Sequence, residues 1–326
     1  MLQVEFNTIS VAFVAFSQKV AIMHQKLANP ETLPNSSLDN VVAGFEAALK
    51  LKQSKNLLMI VKQAERNTFD QDILIQYLNQ KHGIKVFKAS LSDVANKTQL
   101  FNGKLYIGEA EIGLVYYRAG YTDTDYPTDL EWNGRLLLES SDAIKCPDIG
   151  SQLAGSKKIQ QELSNPGVLE RFLECSDSCE SLRSHFTNLY SLDVQSNPNL
   201  DQILQEAIKN PTNYVLKPQR EGGGNNLYGK EMVEKLESAG PSELAAYILM
   251  DLIIPVPHEA VFIRNGSLVK CKAVSELGIY GVILCDQEGC QIINESAGYL
   301  LRTKSVDALE GGVASGYAVL DSLILK

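Results

Sequence analysis

Residues 215–230 read VLKPQREGGGNNLYGK: a lysine, an arginine, a glutamate, three consecutive glycines and two asparagines after a short apolar run. A plain turn needs one glycine and each further one costs conformational entropy, so something has to approach this backbone closely. Lacking Cβ atoms, Gly222, Gly223 and Gly224 could turn their N–H groups onto phosphate oxygens. Lys217 ends the apolar run, where an ammonium could reach the same phosphates, and Glu221 could offer a carboxylate to a divalent cation. The stretch Gly224 to Lys230 also fits the P-loop spacing G-x-x-x-x-G-K. Glu231 stands where Ser or Thr would hold magnesium, however, and EMVEKLESAG reads as an amphipathic helix, so the P-loop reading is rejected.

Other residues have chemistry of the same kind. Glu5 and Asn7 are two apart in an alternating run, which puts both on one strand face; a carboxylate beside an amide oxygen suits magnesium. A solvated strand face would look the same. Arg302 and Lys304 in LLRTK also share a face, and two cations there repel unless an anion lies between them or solvent screens them. Glu276 in SELGIYG is an acid in an apolar strand, whose plainer role is as ion-pair partner of one of these cations. Three oxygens, several cations and a glycine loop together suit ATP–magnesium chemistry. None of the four histidines adjoins a Ser or Cys in a recognisable motif, so no hydrolytic triad is read.

The elements that must position these groups follow from periodicity. LQVEFNTIS alternates as a strand, and SSLDNVVAGFEAALKLK reads as a helix capped by Ser36 or Ser37. NLLMIVK (56–62) is a strand buried on both faces. A helix follows in TFDQDILIQYLNQKHG, with a Thr68–Gln71 capping box and Gly83 at its end. IKVFKAS and IGLVYYR (112–118) are further strands, the latter after a hairpin at Asn102–Gly103. Residues 55–120 thus read as a small doubly wound parallel sheet, whose ligands bind beyond the carboxyl ends of the strands. Two polar loops fall there, KQAERN (62–67) and RAGY (118–121), each with an arginine suited to a carboxylate. IGSQLAGSKKIQQEL and VLERFL are helical, and from residue 214 the chain becomes mostly short strands. The fold class is α+β with an α/β part and an antiparallel second half.

Composition bounds the rest. At 326 residues, 44% hydrophobic and 21% charged, the chain reads as a globular protein of two or three subdomains. A formal charge of −9 argues against non-specific nucleic-acid binding and against docking on an anionic membrane, so no nucleic acid and no membrane partner is expected. The six cysteines form no C-x-x-C pair, and free thiols are expected. The start lacks a basic n-region and carries Glu5 early, so no signal peptide is read and the location expected is cytoplasmic.

VLKPQREGGGNNLYG closely resembles the signature of the eukaryotic type of glutathione synthetase, an ATP-grasp ligase. QVEFNTIS, ERNTFDQ, YYRAGY, KCPDI, QLAGSKKIQQEL, AAYILM, SELGIYGV, LLRTK and GGVASGYAVLD resemble further family segments in family order, over essentially the whole chain. The resemblance implies ligation of γ-glutamylcysteine to glycine through an acyl phosphate, with ATP and Mg2+, in a homodimer. It implies magnesium at Glu5, Asn7 and Glu221. It implies ATP at Glu5, Lys157, Lys217, Glu221, Gly222, Gly223, Gly224, Asn225, Asn226, Tyr228, Glu276 and Lys304, with Met250, Asp251, Leu252 and Ile253 along the adenine. The dipeptide would lie against Ser10, Glu65, Arg66, Asn67, Gln71, Arg118 and Tyr121. Arg302, Val313 and Ala314 would close over the reacting end, and Arg302 and Lys217 are the catalytic candidates. The implied parts are 1–54 and 156–326 for ATP and magnesium, with a lid at about 207–270 and a substrate loop at about 305–316, and 55–155 for the substrate.

Departures from the pattern set further expectations. The family carries a long segment before QVEFNTIS, including an arginine for the γ-glutamyl end; here Met1 and Leu2 precede that run directly. Ala12 replaces a common serine, Asp251 a common glutamate and Ser315 a frequent alanine. Three readings stand at this point: glutathione synthesis, ligation to another small amino acid such as β-alanine or serine, and a truncated non-catalytic paralogue that binds nucleotide or pairs with a full-length subunit.

Overall fold

A computed structural model of the chain describes residues 1–65, 67–221, 224–264, 266–308, 311–313 and 316–325. Packing divides it into two compact units, Met1–Thr8 with Ile149–Ile254, and Ile9–Asp148 with Pro255–Lys326.

The larger unit is built on the parallel sheet expected from the apolar runs. Its strand order is Lys85–Ala89, Asn56–Ile60, Leu114–Tyr117, Ile144–Cys146, all parallel. Alternate residues serve two cores. Leu57, Met59, Leu114 and Tyr116 pack with the helices Val14–Leu27, Ser37–Leu51 and Thr68–His82. Leu58, Ile60, Val115 and Tyr117 pack on the other face with Leu91 and Val94 of Leu91–Lys97 and Leu138 of Asp129–Glu139. Helices on both faces make the sheet doubly wound. The parallel pairing puts the ends of Asn56–Ile60 and Leu114–Tyr117 on one edge, so the loops after both strands open side by side; Lys62 Nζ ties them at 3.1 Å to Asp125.

Three local expectations need correcting. Ser36 sits at the helix N-cap but makes no side-chain cap; Asn35 Oδ1 takes the Ser37 N–H instead, at 3.2 Å. The Thr68–Gln71 box does not form, because Asn67 occupies the N-cap position and Gln71 Nε2 donates to Glu65 Oε2 at 2.8 Å. VLERFL yields only a short turn of 3-10 helix, Leu169–Arg171, as Pro166 and Gly167 leave too little chain before Cys175 to nucleate a longer one. Gly83 does close its helix in the left-handed conformation, and Asn102–Gly103 does turn a hairpin between Thr98–Phe101 and Lys104–Ile107. The same unit contains an antiparallel sheet of His258–Arg264, Ser267–Cys285, Gln291–Ser305 and Ala318–Asp321. There Gln291–Ser305 is one 15-residue strand where only short strands were expected.

The smaller unit has an antiparallel sheet in the order Leu227–Tyr228, Tyr214–Pro218, Tyr247–Asp251, Leu189–Ser191. Leu200, Ala207, Met232 and Leu236 from two helices cover Leu216 and Leu249 of its central strands. Gly229–Ser238 is the helix that had argued against a P-loop. Residues 2–8 of the run LQVEFNTIS belong to this unit and join no described strand. Their backbone is bound piecemeal: Gln3 N–H donates to His185 O at 2.7 Å, and Val4 O and Phe6 O each accept from a side chain. Side-chain alternation could not foretell a ladder.

Candidate active site

In the smaller unit the irregular start of the chain brings Glu5 and Asn7 together after all. Asn7 Nδ2 donates to Glu5 Oε1 at 2.9 Å. Lys157 opens the helix Lys157–Ser164 with its side chain buried, its Nζ 3.4 Å from Glu5 Oε2 and 3.2 Å from Glu221 Oε1. Lys217, on Tyr214–Pro218, is also buried, and its Nζ donates to Val4 O at 2.8 Å. Two ammonium groups and two carboxylates thus share one partly buried cluster.

The carboxylates are not equivalent. Burial opposes ionisation of Glu5, but Lys157, the Asn7 hydrogen bond and Lys217 together hold its carboxyl below the usual range. Burial pushes Glu221 up, against the pull of Lys157 and with a contribution from the Glu5 charge. A site in which a second acid ionises reluctantly has room for more positive charge. Two carboxylates and an amide oxygen are hard donors of the kind magnesium takes, so the residues fit that ion. Among the described residues no group of three or more His, Cys, Asp or Glu side chains gathers to hold a metal.

Along the same sheet, Asp251 accepts from Asn188 Nδ2 at 2.6 Å and Tyr190 OH at 3.2 Å, beside the buried Met250 and ahead of Leu252 and Ile253. Asn226 Nδ2 lies 3.4 Å from Tyr228 OH, and Asn225 is next to it in the same turn. Gly224 has φ 86°, a conformation that side chains rarely adopt, so at least this glycine is demanded by the backbone. Gly222, Gly223, Arg66 and Ala314, also expected at the site, lie outside the described residues, as does Ser315.

In the larger unit the two polar loops, where a crevice is expected, open side by side at the carboxyl edge of the parallel sheet. Glu65 accepts from Asn67 N–H at 2.7 Å and from Gln71. Arg118 is 6% exposed, and its N–H donates to Ile60 O at 2.8 Å. Tyr121 N–H donates to Asp125 at 3.1 Å, with Lys62 Nζ 4.6 Å from its ring centroid. Among the described residues, Gln71 Oε1, Arg118 Nη1 and Asp70 Oδ1 are buried and meet no hydrogen-bond partner, which is costly unless a ligand or water supplies one. Asp70 escaped sequence reading because an acid in the first turn of a helix is commonplace there. Ser10 precedes a turn that this aspartate holds.

On the long strands Glu276 stands opposite Arg302 and forms an ion pair with it, the plainer of the roles weighed for that acid. Lys304 follows on the same face, opposite Val274, and of the loop beyond, residues 306–308, 311–313 and 316–317 are described. A Cβ on Gly311 would lie 3.1 Å from Glu276 Oε2.

The architecture is shared with a solved protein, a glutathione synthetase-like effector of Globodera pallida in its apo form. The match has a TM-score of 0.75 at 19% identity, over all of this chain and 72% of that one. The family model for the eukaryotic glutathione synthase ATP-binding domain matches residues 1–325. The chain is 41% identical to the chloroplastic glutathione synthetase of Arabidopsis thaliana over 341 residues, covering all of this chain and 62% of that protein. It is 42% identical to the Homo sapiens glutathione synthetase over 336 residues, covering 98% and 69% respectively. The chain therefore belongs to the eukaryotic glutathione synthase family, and the fold class read from the sequence is borne out. It spans about three fifths of the length of its plant relatives.

Proposed function

We propose that the chain ligates γ-glutamylcysteine to glycine with ATP, forming glutathione, ADP and phosphate. The observation that carries this reading is Lys157 set between Glu5 and Glu221 beside buried Lys217, a cluster suited to a polyphosphate and its dication. Family membership and the likeness to the glutathione synthetases of Arabidopsis thaliana and Homo sapiens support it.

In this reading Glu5, Asn7 and Glu221 hold magnesium, which when bound neutralises phosphate charge. Lys157 and Lys217 take the phosphates with the N–H groups of residues 222–224, and Asn225, Asn226 and Tyr228 also bind the nucleotide. Residues 250–253 flank the adenine, and Glu276 and Lys304 complete the nucleotide contacts. The dipeptide rests on Ser10, Glu65, Arg66, Asn67, Gln71, Arg118 and Tyr121, where a buried guanidinium with an unpartnered N–H suits a carboxylate. The γ-phosphoryl group passes to the cysteinyl carboxylate. The glycine amine then attacks that carbonyl, loses a proton, and phosphate leaves. Arg302 steadies the developing charge and the segment 305–316, with Val313 and Ala314, excludes water from the acyl phosphate. The functional parts we assign are 1–54 with 156–326, and 55–155.

A homodimer is proposed from the family likeness. Six free cysteines support a reducing compartment, which we take to be the cytoplasm; no described helix is long and apolar enough to cross a membrane. The test is product formation with ATP, magnesium, γ-glutamylcysteine and, separately, glycine, β-alanine or serine, read by mass. Tripeptide with glycine that disappears in Glu221→Ala supports the reading. Tripeptide only with β-alanine or serine moves the acceptor, and none at all from a folded protein overturns ligation.

A further inference from the structure

Three successive residues after Ser10 each have one backbone group held by a different side chain. Tyr116 OH donates to Val11 O at 3.0 Å, Tyr280 OH donates to Ala12 O at 2.7 Å, and Phe13 N–H donates to Asp70 Oδ2 at 2.8 Å. The three side chains come from the parallel sheet, from the long strand Ser267–Cys285 and from the helix Thr68–His82. Phe13 has φ 65°, a left-handed conformation unfavourable to a non-glycine residue, so its backbone must be held from outside.

Asp70 differs from an ordinary first-turn acid. Its bonded oxygen serves an N–H 57 residues away rather than one of its own helix. Its other oxygen is buried and unpartnered among the described residues, as are Gln71 Oε1 next to it in sequence and Arg118 Nη1. The charged and titratable groups acting on it are Arg118, Glu65, Tyr116 and Tyr280. A neutral amide oxygen would also accept from Phe13; what the carboxylate adds is charge, and Arg118 is the cation that pulls on it.

We propose that Asp70, Tyr116 and Tyr280 form a clamp that sets the backbone of residues 10–13, and that Asp70 is the positioning residue of the dipeptide site, fixing Ser10 through the clamp and Arg118 through its charge. The assignment rests on the dipeptide reading of that crevice. Tyr280 lies four residues beyond Glu276 on one strand, on the same face, so the clamp also joins the Ser10 turn to the strand bearing that acid.

The test uses Asp70→Ala, Asp70→Asn and Tyr280→Phe, the last two being near-isosteric. Amide exchange at Phe13 is followed by NMR, and binding of γ-glutamylcysteine and of ATP by calorimetry. Asp70→Ala should speed exchange at Phe13 and weaken the dipeptide, each about tenfold or more, the scale of a lost charge-assisted bond. Asp70→Asn should keep the amide protected yet still weaken the dipeptide about tenfold, with ATP binding unchanged within about twofold. Tyr280→Phe should loosen Phe13 and weaken the dipeptide by a smaller factor. Parental exchange at Phe13 in both Asp70→Ala and Tyr280→Phe overturns the clamp. Parental dipeptide affinity in Asp70→Asn overturns the role of the charge. Should the parent protein bind no dipeptide, the reading of the crevice falls, while the exchange rates at Phe13 still decide the clamp.

Discussion

Lys157 Nζ stands 3.4 Å from Glu5 and 3.2 Å from Glu221, and its own side chain is 6% exposed against 29% and 20% for theirs. Removing the cation leaves two carboxylates facing each other. Lys157→Met should lose about 1–3 kcal/mol at neutral pH in urea unfolding, less than for a fully buried pair because the acids are partly solvated. Magnesium should then stabilise the variant more than the parent; equal stabilisation would refute an ionic role for Lys157. Asp70 has the opposite character. Burial raises its carboxyl above the ordinary value of 3.8, against the pull of Phe13 N–H and Arg118. A carboxyl whose folded pKa exceeds its unfolded value makes stability fall as pH rises through the interval between them. Asp70→Asn should therefore be at least as stable as the parent at neutral pH, with an advantage that shrinks on acidification. A difference constant between pH 4 and 7 would contradict this. Glu5, Asn7, Lys217 and Glu221 were legible as residues, since oxygen donors and end-of-strand ammonium groups declare their chemistry. Lys157 came only through resemblance, because GSKK reads as any helix start, and Asp70 not at all, because its partner is remote in sequence.

At the scale of elements, legibility followed burial. NLLMI and LVYY read as strands because a sheet covered on both faces needs unbroken apolar runs, and both polar loops could be placed on one edge from that alone. LQVEFNTIS was misread as a sheet strand because side-chain alternation reports extension and says nothing of where backbone groups bond. Close backbone approaches were equally invisible. Gly134, within Asp129–Glu139, lies so near the helix Leu91–Lys97 that a Cβ would sit 2.1 Å from Leu91 O. Gly134→Ala gains about 1 kcal/mol in helix propensity but forces the two helices apart at a cost of about 1–3 kcal/mol, so the clash should win. A lowered thermal midpoint is expected, and a raised one would show that the pair can separate freely.

For the whole molecule, the net charge is −9, and the buried or half-buried cations Lys157 and Arg302 are matched by the carboxylates of Glu5, Glu221 and Glu276. A divalent cation arriving with an anionic substrate suits that balance better than an anion alone. Family and fold class were legible across the whole chain, since one motif after another falls in family order; contacts that depend on residues distant in sequence, such as Phe13 with Asp70, were not. In the proposed ligation a carboxylate is activated by phosphoryl transfer before the amine attacks. The most direct measurement supplies γ-glutamylcysteine labelled with 18O in its cysteinyl carboxylate, together with ATP, magnesium and glycine, and weighs the phosphate released. Activation as an acyl phosphate moves one labelled oxygen into each phosphate formed with tripeptide. Tripeptide accompanied by unlabelled phosphate would contradict it.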